Sequence, residues 1–286
     1  MDHPEHIDNA ASQGKLGTFG GVFTPSIMTI LGIILFLRMG FMVGSGGLSR
    51  ALVIIAIANL VSILTTVSMA AAATNIHVNG GGAYYLISRA LGVRFGGSIG
   101  IILFLAQSVS IAFYCIGFGE ALIAVLPPFP LLSVKSISVI AILFLFFLAW
   151  LGADWATKFQ YIVMGLLVIA LLSFIVGAVL KFETRQMVQN WAPLENGLPF
   201  WTLFALFFPA VTGFTQGVNM SGDLENPGKS IPLGTFWAVG LSAVIYFAAA
   251  FLFAGAMTNA DMIADYNSMK TVSYFPALVT AGVLAA

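Results

Sequence analysis

The seven longest stretches of this chain without aspartate, glutamate, lysine or arginine are residues 16–37, 51–88, 95–119, 136–153, 159–180, 196–222 and 230–260. A helix crossing the roughly 30 Å hydrocarbon core of a bilayer needs about 20 apolar residues, and each stretch reaches or nearly reaches that length. Lipid offers the backbone no hydrogen-bond partner, so a spanning segment is either a helix or a strand of a closed barrel. The alternating segments of ~10 residues that mark a barrel are missing. The expected fold class is therefore an all-α, multi-span membrane protein. Charged residues make up 8% of the chain, against about 25% in soluble domains, and mean hydropathy is +1.01.

The same arithmetic removes several functions. Eleven basic residues balance eleven acidic ones, which leaves no electrostatic footprint for nucleic acid. One cysteine, Cys115, excludes a disulfide framework and multi-cysteine metal sites. His3 and His6 share a polar tail and His77 stands alone, so no metal centre is expected. No Ser/His/Asp or Cys/His constellation is evident; neither an enzyme nor a bound cofactor is expected.

Residues 1–16 read as an N-terminal tail and 17–286 as one transmembrane domain. Spans are expected at 20–43, 48–73, 97–125, 134–152, 159–180, 200–219 and 234–257, with a short interfacial helix after Gly80, Gly81 and Gly82. An eighth begins at Tyr274 and reaches Ala286 after about 13 residues, too few to span. The expectation is a fragment, or an incomplete copy of a larger fold.

Two spans carry interruptions. The first has Pro25 and Gly32, the sixth Pro209, Gly213 and Gly217. Proline removes a backbone donor and glycine tolerates unwinding. Irregular backbone at membrane depth survives only where it is buried or lines a cavity, and a matched pair of broken spans points to an inverted-repeat transporter. Such breaks free carbonyls for cations and N–H groups for anions. The central turns of both breaks lack Asp, Glu, Lys, Arg and His. Glu120, near one end of the third span, reads as a solvated interfacial carboxylate, and Arg38 as a snorkelling cation. A site of neutral dipoles suits a desolvated monovalent cation beside an anion, or a zwitterion such as an amino acid.

The strings ILGIILFLR at 30–38, GGGAYYLISR at 80–89, AFYCIGF at 112–118 and the whole stretch 207–226 resemble the cation–chloride cotransporters of the amino acid–polyamine–organocation superfamily. The stretch 207–226, continuing through Ser230, Ile231, Pro232, Gly234 and Thr235, is the most diagnostic. The resemblance covers the chain from Gly17 onward and implies a LeuT-type inverted-repeat fold, here the first repeat and the start of the second. It implies secondary active transport of chloride with potassium by alternating access, with spans one, two, six and seven rocking against the rest. By position it places potassium on the Thr29 and Ile30 carbonyls, the Tyr114 hydroxyl, the Pro209 carbonyl and the Thr212 hydroxyl. One chloride rests on the amides of Gly32, Ile33 and Ile34, a second on Gly213, Phe214 and Thr215. The family usually carries Asn at the position of Thr29.

The family's sodium site draws on the eighth span and its second chloride site on a tyrosine of the tenth, so sodium stays open. The basic residues do not orient the chain: Lys15, Arg89, Arg94, Lys158 and Lys229 fall on one side, and Arg38, Arg50, Lys135, Lys181, Arg185 and Lys270 on the other. A cytoplasmic N-terminus, in the cell's inner or plasma membrane, follows from the resemblance alone. Its partners are the lipid bilayer and inorganic ions; a homodimer is left open. Two other readings stand beside it: an amino-acid permease on the same fold, and a non-transporting fragment or accessory subunit.

Overall fold

The computed structural model describes residues 16–75, 81–123, 133–150, 153–194 and 197–286, with backbone only at 153–158. The tail residues 1–15 with His3 and His6, together with His77, Gly80 and Val125, lie outside the described residues.

The first span enters through a π-helical turn at Phe19–Phe23, runs as α1 (Thr24–Ile30), breaks at Leu31 and Gly32, and resumes as α2. Helix α2 (Ile33–Asn75) joins the rest of span one to span two across a sharp bend at Gly47. There φ is 67°, and a Cβ would lie 2.5–2.7 Å from the backbone of Ala192 and Pro193. Only glycine fits both the left-handed φ and that approach.

Helix α3 (Gly82–Leu91) is the short helix expected after the glycine run. It leads into α4 (Val93–Ile123), α5 (Val134–Trp150) and α6 (Ala153–Leu180). Span six begins as α8 (Phe200–Phe207) after a short helix α7 (Thr184–Gln189) that no periodicity announces. It then tightens into two 3₁₀ turns, Phe208–Val211 and Gly213–Thr215, and closes with α9 (Gln216–Asn219). Helix α10 (Pro227–Ala256) starts about two turns before the expected residue 234, because Pro227 fits a first helical turn that needs no N–H donor. Short helices α11 (Asn259–Ala264) and α12 (Ser268–Val272) precede α13 (Pro276–Ala285).

Five helical stretches among the described residues are long and apolar enough to cross a membrane: Phe19–Asn75, Val93–Ile123, Phe159–Leu180, Phe200–Asn219 and Pro227–Ala256. The first of these holds two of the expected spans, and α5 is a shorter apolar helix of 17 residues. Among the described residues extended pairing is limited to one bridge, Leu16 to Leu224.

The core lies where α10 packs on α2, and it continues through α8, α6 and α13. Phe174 of α6 meets Phe253 of α10 with ring centroids 4.8 Å apart. Helices α4 and α5 pack on each other and turn large apolar side chains outward; Phe104 is 71% exposed and Phe146 65%. In lipid such faces carry no penalty, since the acyl chains are as apolar as the side chains. Spans one, two, six and seven thus form one packed group around the two breaks.

Candidate functional site

At the first break, Leu31 still donates to the Ile27 carbonyl at 2.8 Å, then its ψ of 31° turns the chain out of the helix. The regular spacing returns after Leu35 N–H meets the Gly32 carbonyl at 3.0 Å. Ile33 and Ile34 open the next helix, in the first turn whose N–H groups have no acceptor of their own in that helix. At the second break Pro209 has no donor to give, and Thr212 (φ −91°, ψ −8°) separates the two 3₁₀ turns. The breaks touch. A Cβ on Gly213 would stand 2.7 Å from the Thr29 Cβ and 2.8 Å from the Ile30 nitrogen, so only a residue without a side chain admits this contact.

Carbonyls released by the breaks are held by hydroxyls. Tyr246 of α10, fully buried, donates to the Ile30 carbonyl at 2.6 Å and lies 3.4 Å from the Ala210 carbonyl. Ser62 of α2 donates to the Val211 carbonyl at 2.8 Å. Ser26 of α1 accepts the Gly217 N–H and donates to the Phe214 carbonyl, both at 3.2 Å. Thr29 turns its own hydroxyl back to the Pro25 carbonyl at 2.8 Å, leaving its backbone oxygen as the group it offers.

The residues singled out by resemblance fall as follows. Thr29 and Ile30 end α1, and Gly32 with Ile33 and Ile34 spans the break and the start of α2. The half-buried Tyr114 of α4 sets its ring edge beside that break: Cε1 is 3.6 Å from where a Gly32 Cβ would be. Pro209 and Thr212 meet directly, the Thr212 hydroxyl donating to the Pro209 carbonyl at 2.8 Å. The exposed Thr212 hydroxyl thus spends its proton on a neighbour and keeps its lone pairs as acceptors. Gly213, Phe214 and Thr215 form the second 3₁₀ turn, against the end of α1.

Two cavities flank the breaks. On the side of the N-terminal tail, one of about 290 Å³ is lined by Pro25, Met28, Thr29, Gln160, Gln216 and Asn219. The Gln160 side-chain oxygen there has no protein partner. On the opposite side, a pocket of about 40 Å³ lies among Ile33, Leu37, Phe113 and Ile116 and is bounded by Arg38 and Glu120. These two charges form an ion pair, Nη2 to Oε2 3.5 Å, with Arg38 also 5.3 Å from the ring centre of Tyr266. The sequence marks Glu120 as a solvated interfacial carboxylate and Arg38 as a snorkelling cation; the structure leaves both part exposed and adds that they pair between spans one and three. The available signal was two opposite charges at matching depth in neighbouring spans.

Below the larger cavity, Leu16 N–H donates to the Asp223 carbonyl at 2.7 Å and Glu225 N–H to the Leu16 carbonyl at 3.1 Å. The acidic loop after span six therefore grips the base of the tail through its backbone.

Residues 21–286 match the family described as Amino acid permease. The chain is similar to Solute carrier family 12 member 1 of Oryctolagus cuniculus, at 36% identity over 279 residues covering 91% of this chain and 25% of the relative. To Solute carrier family 12 member 2 of Squalus acanthias it is 31% identical over 338 residues, covering 99% of this chain and 28% of the relative. It is also 36% identical over 284 residues to the bumetanide-sensitive sodium-(potassium)-chloride cotransporter of Manduca sexta, covering 91% and 27%. The chain spans about a quarter of the length of these curated relatives.

Proposed function

Since the chain belongs to the amino acid permease family, and within it to the cation–chloride cotransporters, we propose that it forms the substrate-holding part of a secondary active transporter that moves chloride together with potassium. The observation that carries this reading is the pair of broken helices in contact at Gly213, wholly without charged side chains in their central turns.

In that surrounding a single ion is costly. Two unit charges 4 Å apart attract by about 4 kcal/mol at an effective dielectric of 20 and about 1 kcal/mol in water, so a cation and an anion held together in the cavity stabilise one another. Potassium is held by the carbonyls of Thr29, Ile30 and Pro209 and the hydroxyls of Tyr114 and Thr212. Chloride is held by the amides of Gly32, Ile33 and Ile34, and a second one by Gly213, Phe214 and Thr215. Each site therefore raises the affinity of the other. Sodium accompanies the pair in the relative whose name includes it, and this reading leaves room for it. The protein sits in the cell's surface membrane with the tail inside, and spans one, two, six and seven move as a group against the others. The larger cavity beside Thr29 then opens to the cytoplasm, while the Arg38–Glu120 pair closes the outer side.

An amino-acid substrate would set its carboxylate on the same amides, but its ammonium group would find no acidic side chain in either break. The test is rubidium uptake by the full-length protein, wild type and Tyr114→Phe. The substitution keeps the ring and deletes one ligating oxygen; losing a buried polar contact costs roughly 1–3 kcal/mol, so apparent rubidium affinity falls about 5- to 150-fold. An unchanged rubidium dependence with normal membrane abundance removes Tyr114 from the site.

A further inference from the structure

Tyr246 stands outside every residue assigned to the site, yet its hydroxyl reaches both breaks. It lies in the middle of α10 with no solvent exposure, and its ring meets Phe207 edge to face, centroids 5.1 Å apart and planes at 85°. The oxygen is 2.6 Å from the Ile30 carbonyl and 3.4 Å from that of Ala210. A phenol has one proton to donate, and the shorter distance assigns it to Ile30. Ile30 itself is 1% exposed, so water does not compete for that carbonyl.

A carbonyl oxygen has two lone pairs. Tyr246 occupies one with a proton and leaves the other for a cation, and two partners on one oxygen compete for the same electron density. An oxygen that already accepts a hydrogen bond presents a weaker field to a metal ion. In a cavity lined by dipoles, the number and field strength of the coordinating oxygens set which alkali cation is preferred. A weaker field favours the larger ion, whose hydration is easier to remove.

We propose that Tyr246 is a specificity-determining residue: its hydrogen bond to the Ile30 carbonyl weakens that ligand's field and biases the cation site toward large monovalent cations. This rests on the reading that Ile30 ligates the transported cation. Tyr246 does not touch the ion. It sets the electron density and the position of the oxygen that does.

The test is competition against rubidium uptake by potassium and by caesium, at fixed chloride and fixed sodium, in the full-length protein reconstituted in liposomes. Y246F keeps the ring against Phe207 and removes the donor. The Ile30 oxygen gains field strength, and preference for potassium over caesium rises by about fivefold, the size expected for one buried hydrogen bond. Replacing Tyr246 by 3-fluorotyrosine keeps the hydroxyl, and with it the fold, and makes it a stronger donor; preference then moves the opposite way, toward caesium. Equal weakening of both ions in Y246F, or an unchanged ratio in both variants, overturns the proposal and leaves Tyr246 a strut between helices. Tyr114→Phe, measured alongside, separates the two levels. If it weakens rubidium while the Tyr246 ratios stay fixed, only the inference about Tyr246 fails. If neither residue affects any cation, the cation site itself is misassigned and both fall.

Discussion

Ser26 holds the second break with a single oxygen, accepting from Gly217 and donating to Phe214 while fully buried. Ser26→Ala leaves a donor and an acceptor unsatisfied, at roughly 1–3 kcal/mol for each such group. The unfolding temperature in detergent should fall by several degrees, at about 2–4 °C per kcal/mol for a chain of this size. Ser68→Ala, which removes only an exposed bond back to the Leu64 carbonyl, should change it by under about 0.5 kcal/mol equivalent. Gly213→Ala meets a different obstacle. The added methyl would stand 2.7 Å from Thr29, and forcing the helices apart should cost about 1–3 kcal/mol and weaken cation affinity as well. Thermal unfolding followed beside rubidium affinity checks both effects in one preparation. The prolines and glycines that break the spans are visible in the sequence, because their backbone chemistry is local. The hydroxyls of Ser26, Ser62 and Tyr246 are not, because their partners lie 149–216 residues away. A lone tyrosine in an apolar span announces that it needs a partner, and only packing says which.

Between elements, the ion pair that joins spans one and three adds little to stability. Arg38 and Glu120 join spans one and three at 3.5 Å, but their side chains are 28% and 44% exposed. An ion pair in that setting contributes about 0–1 kcal/mol. Glu120→Gln should therefore leave unfolding within about 1 kcal/mol of wild type. If the pair closes the outer side as proposed above, uptake should nonetheless change, because the pair bounds the 40 Å³ pocket on the narrow side of the breaks. Restoring wild-type rates in an Arg38→Glu, Glu120→Arg exchange would tie the effect to the pair; equal uptake in wild type and Glu120→Gln would remove it from the path. Six of the seven expected spans fall in helical stretches long and apolar enough to cross a membrane, and the remaining one, the fourth, is the shorter α5, because a charge-free run of that length has few alternatives. The bend at Gly47 separates spans one and two where the gap between 43 and 48 expects it. Helices α7, α11 and α12 escape notice because at five or six residues they are shorter than the period needed to detect them. Helix α10 extends beyond its apolar run because proline starts a helix as readily as it ends one.

For the whole molecule, α4 and α5 turn large apolar faces outward, while α1, α2, α8, α9 and α10 pack together around the breaks. The all-α, multi-span class is legible from hydropathy; the ligand is not, since neutral dipoles serve an ion pair and a zwitterion alike. Electrostatics separates the two. An amino acid's ammonium group would find no acidic side chain in either break; on the reading proposed above a cation and an anion bind there as a neutral pair, and coupling between them is reciprocal: whatever one ion does to the affinity of the other is returned by the same factor. The most direct measurement is rubidium uptake into liposomes holding the full-length protein, titrated with rubidium at several chloride concentrations and with chloride at several rubidium concentrations. The two apparent affinities should rise together, by the same factor, and both should weaken in Tyr114→Phe. Rubidium uptake indifferent to chloride, or saturable uptake of an amino acid that needs no chloride, would contradict it.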